Sequence, residues 1–301
     1  LSNSTIKVLQ RITEISGLTP VFEKIDVRDK NAVIDFFNKH SDIDGVIHFA
    51  ASKAVGESVN NPLKYYENNI NSLVYVLQEL NKMKSSNLIF SSSCTVYGQA
   101  DTLPITESSP LKEAESPYGN TKKIGEQIIE DTCLANEKMN VIALRYFNPI
   151  GAHSSARIGE LPIGTPQNLI PFVTQTAAGI RKQLAIFGND YPTPDGTCIR
   201  DYIHVVDLAK AHVSSMNRLL RRDNENNYEV FNLGTGKGSS VLEVVNTFEK
   251  VSGQKLSYVF AERREGDVVA AYADTMKARE VLGWKPELSL ENAILSAWLW
   301  E

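Results

Sequence analysis

In the first half of the chain, short apolar runs alternate with segments whose apolar residues recur at helical spacing. The run over 45–50 is almost continuously apolar, as expected of a strand buried on both faces. Similar strands are predicted at 88–90 and 141–146, and helices over about 63–83 and 118–133 precede them. This alternation predicts an α/β fold: a doubly wound, Rossmann-like parallel sheet with helices on both faces.

The first 40 residues are predicted to form a helix, a strand and a second helix. Ile6, Leu9 and Ile12 are spaced for one helical face, and Gly17 ends that helix. The strand is expected over 21–25. A doubly wound sheet normally opens with a strand, a glycine-rich turn and a helix, but this region has no Gly-x-Gly-x-x-Gly turn. Either the protein binds no dinucleotide or, as we expect, about 30 residues carrying that unit precede residue 1.

The second half of the chain begins with a segment of different composition. Residues 149–199 are rich in glycine and proline, so we expect short elements that cover a substrate. A helix and a strand after residue 200 are expected to rejoin the sheet, and Gly234-Thr235-Gly236 is interpreted as the loop ending that strand, not as a phosphate cradle. The predicted domains are 1–148 plus about 200–236, and a smaller α/β domain of about 149–199 plus 237–301.

Composition and net charge limit the classes of protein to which this chain can belong. The 301 residues, 42% of them hydrophobic, are enough for two subdomains, and the net charge of −5 argues against nucleic acid as a main partner. No apolar run approaches membrane-spanning length. The cysteines (Cys94, Cys133, Cys198) are scattered and the five histidines do not cluster, so we expect no metal site and a reducing, cytoplasmic setting.

The clearest candidate chemistry is the pair Tyr118 and Lys122. Residues four apart share a helical face, and Ser116-Pro117 before them suits a helix start. An ammonium near a phenol lowers the phenol pKa and makes it a general base. One such pair is also expected by chance, so the spacing alone leaves a structural role open. A serine run, 91–93, follows the strand at 88–90.

A serine, a tyrosine and a lysine in this order resemble the catalytic set of the short-chain dehydrogenase/reductases. Longer motifs make the chain similar to the UDP-glucose 4-epimerase family of the extended members. These motifs are 46–51 (VIHFAA), 53–58 (KAVGES), 90–93 (FSSS), 96–98 (VYG), 116–119 (SPYG), 145–149 (RYFNP), 195–197 (DGT), 200–204 (RDYIH) and 263–267 (RREGD).

The resemblance implies inversion of C4 in a UDP-hexose. Tyr118 as phenolate takes the proton of the 4-hydroxyl, and NAD accepts the C4 hydride and returns it to the other face of a 4-keto sugar. Lys122 lowers the Tyr118 pKa and holds the nicotinamide ribose, and Ser93 hydrogen-bonds the 4-oxygen. The sheet domain then binds NAD and the smaller domain binds the UDP-sugar.

The resemblance also implies the remaining cofactor contacts. They are Asp26 and Val27 at the adenine, Phe49, Ala50 and Ala51 along the diphosphate and ribose, Lys53 at the pyrophosphate, Asn68 and Phe147 near the nicotinamide, and Ser91 and Ser92 beside them. Simpler roles remain open: a helix cap for Asp26, a solvated charge for Lys53, a core side chain for Phe147, and strand-end caps for the serines.

The implied substrate contacts lie mostly in the second half of the chain. They are Lys53, Ser93, Tyr118, Asn148, Asn168 and Leu169, then Ala185 and Phe187 at the uracil, Arg200 and Arg264 at the diphosphate, and Tyr202, Asp267 and Ala271. A guanidinium suits a diphosphate. Alternatively, the two arginines form surface ion pairs with Asp201 and Glu265.

Two further expectations follow from the resemblance, and two alternative functions stay open. Ala271 is small where some members have tyrosine, so UDP-N-acetylhexosamines are possible substrates. A homodimer through the helices near 63–83 and 118–133 is expected. A nucleotide-sugar 4,6-dehydratase is the nearest alternative, but it needs an acid pair where Cys94 and Thr95 stand; a non-catalytic nucleotide-sugar sensor is the alternative from another class.

Overall fold

The computed structural model describes residues 4–264 and 266–301 of the chain. The helices are α1 (Lys7–Ser16), α2 (Lys30–Lys39), α3 (Val55–Asn60), α4 (Pro62–Leu80), α5 (Pro117–Ala135), α6 (Leu169–Ala177), α7 (Val205–Arg221), α8 (Val241–Ser252), α9 (Met276–Val281) and α10 (Leu290–Trp300). A 3-10 turn spans Cys94–Tyr97.

The strands are short and most of them are parallel. They are β1 (Val46–His48), β2 (Ser86–Ser91), β3 (Met139–Tyr146), β4 (Asn148–Ile150), β5 (Leu184–Phe187), β6 (Ile199–Arg200), β7 (Tyr202–His204), β8 (Tyr228–Leu233), β9 (Ser239–Ser240), β10 (Tyr258–Ala261) and β11 (Ala270–Ala271).

The main sheet is parallel, with the order β1-β2-β3-β8. Successive residues of β2 face opposite sides: Leu88 and Phe90 pack with α2, α4 and α5, whereas Ile89 packs with α7 and Trp284. Both faces of β2 are therefore buried, which explains its continuous apolar sequence. The predicted doubly wound α/β sheet is confirmed.

The predicted strand at 21–25 is wrong. Residues 18–26 have no helix or strand assignment, and among the described residues no strand pairs with them. Val21 is 89% exposed and Phe22 is 41% exposed. A strand exists only when a neighbouring strand accepts and donates its backbone hydrogen bonds, so apolar alternation alone was insufficient here.

The rest of the chain builds a second core around α6, α8 and α10. Ile170, Val173, Phe248 and Ile294 are almost fully buried in it. Three small sheets border this core: β5 with β10, β4 with β7, and β6 between β9 and β11. Over 4–264 and 266–301, the helices are all too short or too polar to cross a membrane.

The loop at 234–236 ends β8, as predicted. The backbone N–H groups of Thr235 and Gly236 donate to the carboxylate of Asp201 at 2.7 and 3.1 Å. A side chain on Gly234 would place its Cβ 2.3 Å from that carboxylate. The loop therefore encloses Asp201, and its N–H groups are not directed at a phosphate.

Candidate active site

The start of α5 lies beside the carboxyl end of β2. Ser116 caps α5 by accepting a hydrogen bond from the Gly119 N–H at 3.2 Å, which fixes the direction of the first turn. One turn on, Lys122 Nζ donates to the carbonyl of Ser91, the last residue of β2, at 2.6 Å. The same nitrogen lies 5.9 Å from the ring centroid of Tyr118. The structure thus brings the predicted serine run, tyrosine and lysine together.

The pKa of Tyr118 differs from the sequence-based expectation. Burial and the phenol of Tyr146 raise this pKa, and the neighbouring Ser93 hydroxyl lowers it. Lys122 was expected to lower it, but its ammonium is directed at the Ser91 carbonyl. In the protein alone, therefore, burial dominates and favours the neutral phenol.

Lys122 is itself a buried cation. It is 4% exposed and its nitrogen lies 5.1 Å from the Phe90 ring centroid. Burial lowers the pKa of Lys122 to about 8, although the carboxylate of Glu126 raises it. Because that pKa stays above neutrality, the ammonium keeps its charge at pH 7.

Sequence reasoning missed the buried polar network behind this lysine. Glu126, four residues after Lys122, accepts from the Arg145 Nε at 2.9 Å and from the hydroxyl of Ser92. Arg145 Nη1 donates to the Tyr97 hydroxyl at 2.9 Å. The helical spacing of Lys122 and Glu126 was the available signal, since residues four apart share a face. This network ties α5 to β2 and β3.

A second network holds the loop that follows β1. Asn69 Oδ1 accepts from the Ser52 N–H at 2.7 Å, and Asn69 Nδ2 donates to Thr121 Oγ1 at 3.0 Å. Thr121 Oγ1 in turn donates to the Tyr118 carbonyl at 2.7 Å. Asn68, one of the predicted residues, donates to the Ser52 hydroxyl at 3.2 Å. Asn69, absent from the prediction, therefore fixes 50–53 relative to Tyr118.

The predicted cofactor residues fall into two groups. Phe49, Ala50, Ala51, Lys53, Asn68, Ser91 and Ser92 lie at the carboxyl ends of β1 and β2 or beside them. The second group packs into the hydrophobic cores: Val27 packs against the core of the main sheet, and Phe147 is buried with Val96 and Tyr97.

Asp26 does not cap a helix, which was its simpler interpretation. Asp29 caps α2 instead, by accepting from the N–H groups of Asn31 and Ala32. The carboxylate of Asp26 accepts hydrogen bonds from Arg28, and these lower its pKa to about 2. Asp26 is therefore an ionised acceptor near the surface.

The two predicted diphosphate arginines share one carboxylate. Arg264 donates to both oxygens of Asp267 at 2.8 and 3.1 Å, and Arg200 Nη2 approaches the same group at 3.4 Å. The alternative pairing of Arg200 with Asp201 is wrong, because Asp201 is directed at the 234–236 loop. Glu265, the partner that the same alternative gave to Arg264, lies outside the described residues.

Five other predicted substrate residues lie on β4, β5, β7 and β11. The Arg264 guanidinium lies 5.8 Å from the ring centroid of Phe187, which ends β5 two residues after Ala185. Tyr202 is buried at the start of β7, where it pairs with Asn148 of β4. Ala271 pairs with Arg200 in the adjacent sheet.

Asn168 and Leu169 lie at the N-terminus of α6. Asn168 occupies the N-cap position but makes no capping bond with its side chain. Its Nδ2 donates instead to Glu160 Oε1 at 2.6 Å, and Lys53 Nζ approaches the same oxygen at 3.4 Å. The structure therefore joins Lys53 to Asn168 through a carboxylate that the sequence did not single out.

The chain matches known proteins over nearly its full length. The family model described as GDP-mannose 4,6 dehydratase matches residues 2–296. The UDP-glucose 4-epimerases of Bacillus subtilis and Yersinia pestis are 49% and 50% identical over 301 residues, which is 100% of this chain and 87% and 88% of theirs. The UDP-glucose 4-epimerase of Bifidobacterium longum, solved in complex with NAD+ and UDP, superposes with a TM-score of 0.94 at 45% identity, covering 99% of this chain and 88% of that one.

The family model is described as a dehydratase, whereas the relatives that are 49% and 50% identical are UDP-glucose 4-epimerases. The acid pair that the dehydratase alternative requires is replaced here by Cys94 and Thr95. Burial raises the pKa of the Cys94 thiol to about 12, so this side chain does not act as an acid at neutral pH. The geometry of the candidate site and these identities agree, and the chain belongs to the UDP-glucose 4-epimerase family of the extended short-chain dehydrogenase/reductases.

Proposed function

We propose that this protein interconverts UDP-glucose and UDP-galactose by inverting C4 of the hexose, with NAD as its cofactor. The observation that carries the proposal is the convergence of Ser93, Tyr118 and Lys122 at the carboxyl end of the sheet. Ligands of parallel α/β sheets bind at that edge. Relatives that are 49–50% identical over the whole chain and carry this activity's name support the same assignment.

The residues at this edge fit a bound dinucleotide. Lys122 Nζ has three hydrogens, and over 4–264 and 266–301 its one hydrogen bond is to the Ser91 carbonyl, so donors remain for ribose hydroxyls. Phe49 is 56% exposed beside the loop at 50–53, and the Lys53 side chain is 59% exposed. When bound, NAD supplies the hydride acceptor and the positive charge of its nicotinamide ring.

The proposed chemical roles follow from the positions of the three side chains. Tyr118 takes the proton of the 4-hydroxyl, and Ser93 hydrogen-bonds the same oxygen. Burial raises the Tyr118 pKa, so the phenolate forms only where positive charge offsets burial. The Lys122 ammonium, charged at neutral pH, supplies part of that charge and is held in place by Ser91.

The remaining cofactor contacts are proposed for the same edge. Asp26 and Val27 would hold the adenine, and Asp26 is ionised and half-exposed. Phe49, Ala50, Ala51 and Lys53 would follow the diphosphate and ribose. Asn68, Ser91, Ser92 and Phe147 would lie around the nicotinamide, where Phe147 contributes a buried wall.

The UDP moiety is proposed to bind residues that lie mostly in the second half of the chain. Arg200 and Arg264 meet at Asp267, so a diphosphate would find two guanidiniums already gathered. The other proposed contacts are Asn148, Asn168, Leu169, Ala185, Phe187 and Tyr202. The Bifidobacterium longum relative, which contains UDP, supports a nucleotide site in this fold.

We propose two domains, with a cleft between the NAD site and the UDP-sugar site. We propose an NAD-binding domain of 1–148 plus about 200–236, and a UDP-sugar-binding domain of about 149–199 plus 237–301. The two separate cores, around the main sheet and around α6, α8 and α10, support this division.

A wider sugar range is proposed on the basis of Ala271. This residue is 8% exposed and its methyl group leaves more space than a tyrosine ring in the same place. We therefore expect UDP-N-acetylgalactosamine and UDP-N-acetylglucosamine to be interconverted as well. Normal turnover of UDP-galactose with none of the N-acetylated pair would contradict this expectation.

Two properties of the whole protein are also proposed. Leu63 on α4 and Leu134 on α5 are 81% and 80% exposed, which supports a homodimer through these helices. Sedimentation of the protein as a monomer would contradict it. The three free cysteines support a reducing, cytoplasmic setting.

The decisive experiment measures conversion of UDP-galactose by proton NMR of the anomeric region. We expect UDP-glucose to appear, and Tyr118→Phe to reduce kcat by about 10²- to 10⁴-fold, because it removes the general base. Tyr75→Phe is the control, since Tyr75 lies on α4 with its ring facing Lys30 and its hydroxyl makes no hydrogen bond to the described residues. Binding without conversion would favour the sensor, and a keto product lacking the 6-hydroxyl would favour the dehydratase.

A further inference from the structure

Glu160 connects the two walls of the proposed cleft. Lys53 follows β1 of the main sheet, whereas Glu160 and Asn168 belong to the segment 149–199. One carboxylate oxygen, Glu160 Oε1, accepts from Asn168 Nδ2 at 2.6 Å and lies 3.4 Å from Lys53 Nζ. Lys53 and Asn168 are both among the substrate contacts that the family resemblance implies, and nothing so far assigns a role to the carboxylate that joins them.

The hydrogen bond to Glu160 orients the Asn168 amide. A carboxylate only accepts hydrogen bonds, so the Asn168 nitrogen must face Glu160 and its carbonyl oxygen must face away. Asn168 occupies the N-cap of α6, where an asparagine side chain usually turns back to bond its own helix. Here the side chain makes no such bond, so Glu160 holds it in an orientation that capping would not favour.

The position of Glu160 is set from behind by the C-terminal helix. The Trp300 indole nitrogen donates to the Glu160 carbonyl at 2.9 Å. The backbone at Gly159 lies against the same ring, since a Cβ there would be 2.6 Å from Trp300 Cδ1. This close approach requires glycine, and it fixes where the Glu160 side chain begins.

The two contacts of Glu160 differ in strength. The Asn168 bond is short and charge-assisted, which makes it the stronger of the two. The Lys53 contact is long, and its side chains are 59% and 35% exposed, so a diphosphate can compete for the lysine at little cost. Glu160 therefore keeps Lys53 near the cleft without immobilising it.

We infer that Glu160 is a positioning residue for the UDP-sugar: it orients the Asn168 amide and holds the Lys53 ammonium across the cleft. This inference rests on the proposed function, because the UDP-sugar is the ligand that Asn168 and Lys53 would receive. Glu160 acts through these two side chains and touches no reacting atom.

The test compares Glu160→Ala, Glu160→Gln and the control Glu14→Ala in the full protein. Glu14 forms an ion pair with Arg157 in the same region but contacts neither Lys53 nor Asn168. For Glu160→Ala we expect KM for UDP-galactose to rise about tenfold, which corresponds to one lost hydrogen bond, with kcat within about twofold. For Glu160→Gln we expect a rise of about threefold or less, because the amide oxygen still accepts from Asn168. Glu14→Ala should leave KM unchanged.

Calorimetric titration with UDP-galactose separates this inference from the proposed function, because it reads affinity without turnover. If Glu160→Ala lowers the affinity about tenfold and Glu14→Ala does not, the inference is supported, whether or not the wild type shows turnover. A wild type without turnover would overturn only the epimerase assignment. Three results overturn the inference: an unchanged affinity and KM in Glu160→Ala, an equal effect of Glu14→Ala, or no rescue by Glu160→Gln.

Discussion

Replacing Lys122 with methionine is expected to stabilise the NAD-free protein while abolishing activity. Lys122 is 4% exposed, and burial lowers its pKa from 10.5 to about 8. That change costs roughly 3 kcal/mol of folding free energy at neutral pH, because the ammonium must be charged inside the protein. Methionine fills a similar space without charge. Losing the bond to the Ser91 carbonyl costs about 1 kcal/mol, so a net gain of about 2 kcal/mol is expected at pH 7.

The effect depends on pH with a defined sign. Between about pH 8 and pH 10.5 the unfolded chain keeps the Lys122 proton while the folded protein has lost it, so wild-type stability rises with pH. Below that window both states are charged and the penalty is complete. Above it both states are neutral and the penalty is gone. The advantage of Lys122→Met should therefore shrink from pH 7 to pH 10.5.

The assay is urea unfolding after removal of NAD, followed by tryptophan fluorescence. Trp284 is 4% exposed and packs in the sheet core, so it reports the relevant domain. Lys123→Met is the matched control, because Lys123 is the next residue and its ammonium bonds carbonyls near the surface. A variant less stable than wild type at pH 7, or an advantage independent of pH, would refute the burial argument.

Two further substitutions test the networks around the site. Glu126→Ala leaves the Arg145 guanidinium buried without its carboxylate partner, and we expect the free energy of unfolding in urea to fall by about 3–5 kcal/mol. The control Glu130→Ala removes an exposed carboxylate and should change that free energy by less than about 0.5 kcal/mol. Equal effects of the two substitutions would contradict this reasoning. Asp201→Asn keeps the size of a buried side chain but removes acceptor capacity from the loop that follows β8, so a loss of about 1–3 kcal/mol is expected in thermal unfolding. An unchanged melting temperature would show that the loop does not depend on the carboxylate.

Features that depend on near neighbours in the chain were predictable. Ser116 caps α5 as its position before Tyr118 suggested, and Tyr118 and Lys122 share a face because four residues make about one helical turn. The buried strand β2 was evident from its apolar run, because both faces of a covered parallel sheet exclude water. The run over 45–50 forms β1 as predicted, but its burial on both faces is wrong: Ile47 is 38% exposed, because β1 is an edge strand of the described sheet. These local signals, with the family motifs, were enough to predict that Ser93, Tyr118 and Lys122 would lie together.

Features that depend on distant neighbours were decided only by the tertiary structure. Residues 21–25 have strand-like apolar spacing but form no strand, because no described strand supplies the backbone hydrogen bonds. Arg200 stands beside Asp201 in sequence yet approaches Asp267, because Asp201, between β6 and β7, is taken up by the N–H groups of the 234–236 loop.

The charge states and hydrogen-bond partners in the site were also decided only by the tertiary structure. The sequence by itself determined that a phenol and an ammonium lie one helical turn apart. Only the fold decided that burial would raise the Tyr118 pKa and that the ammonium would turn to the Ser91 carbonyl. It also decided that Glu160 would join Lys53 to Asn168. Spacing along a helix sets the direction of a side chain, whereas its charge state and partners depend on what other segments pack around it.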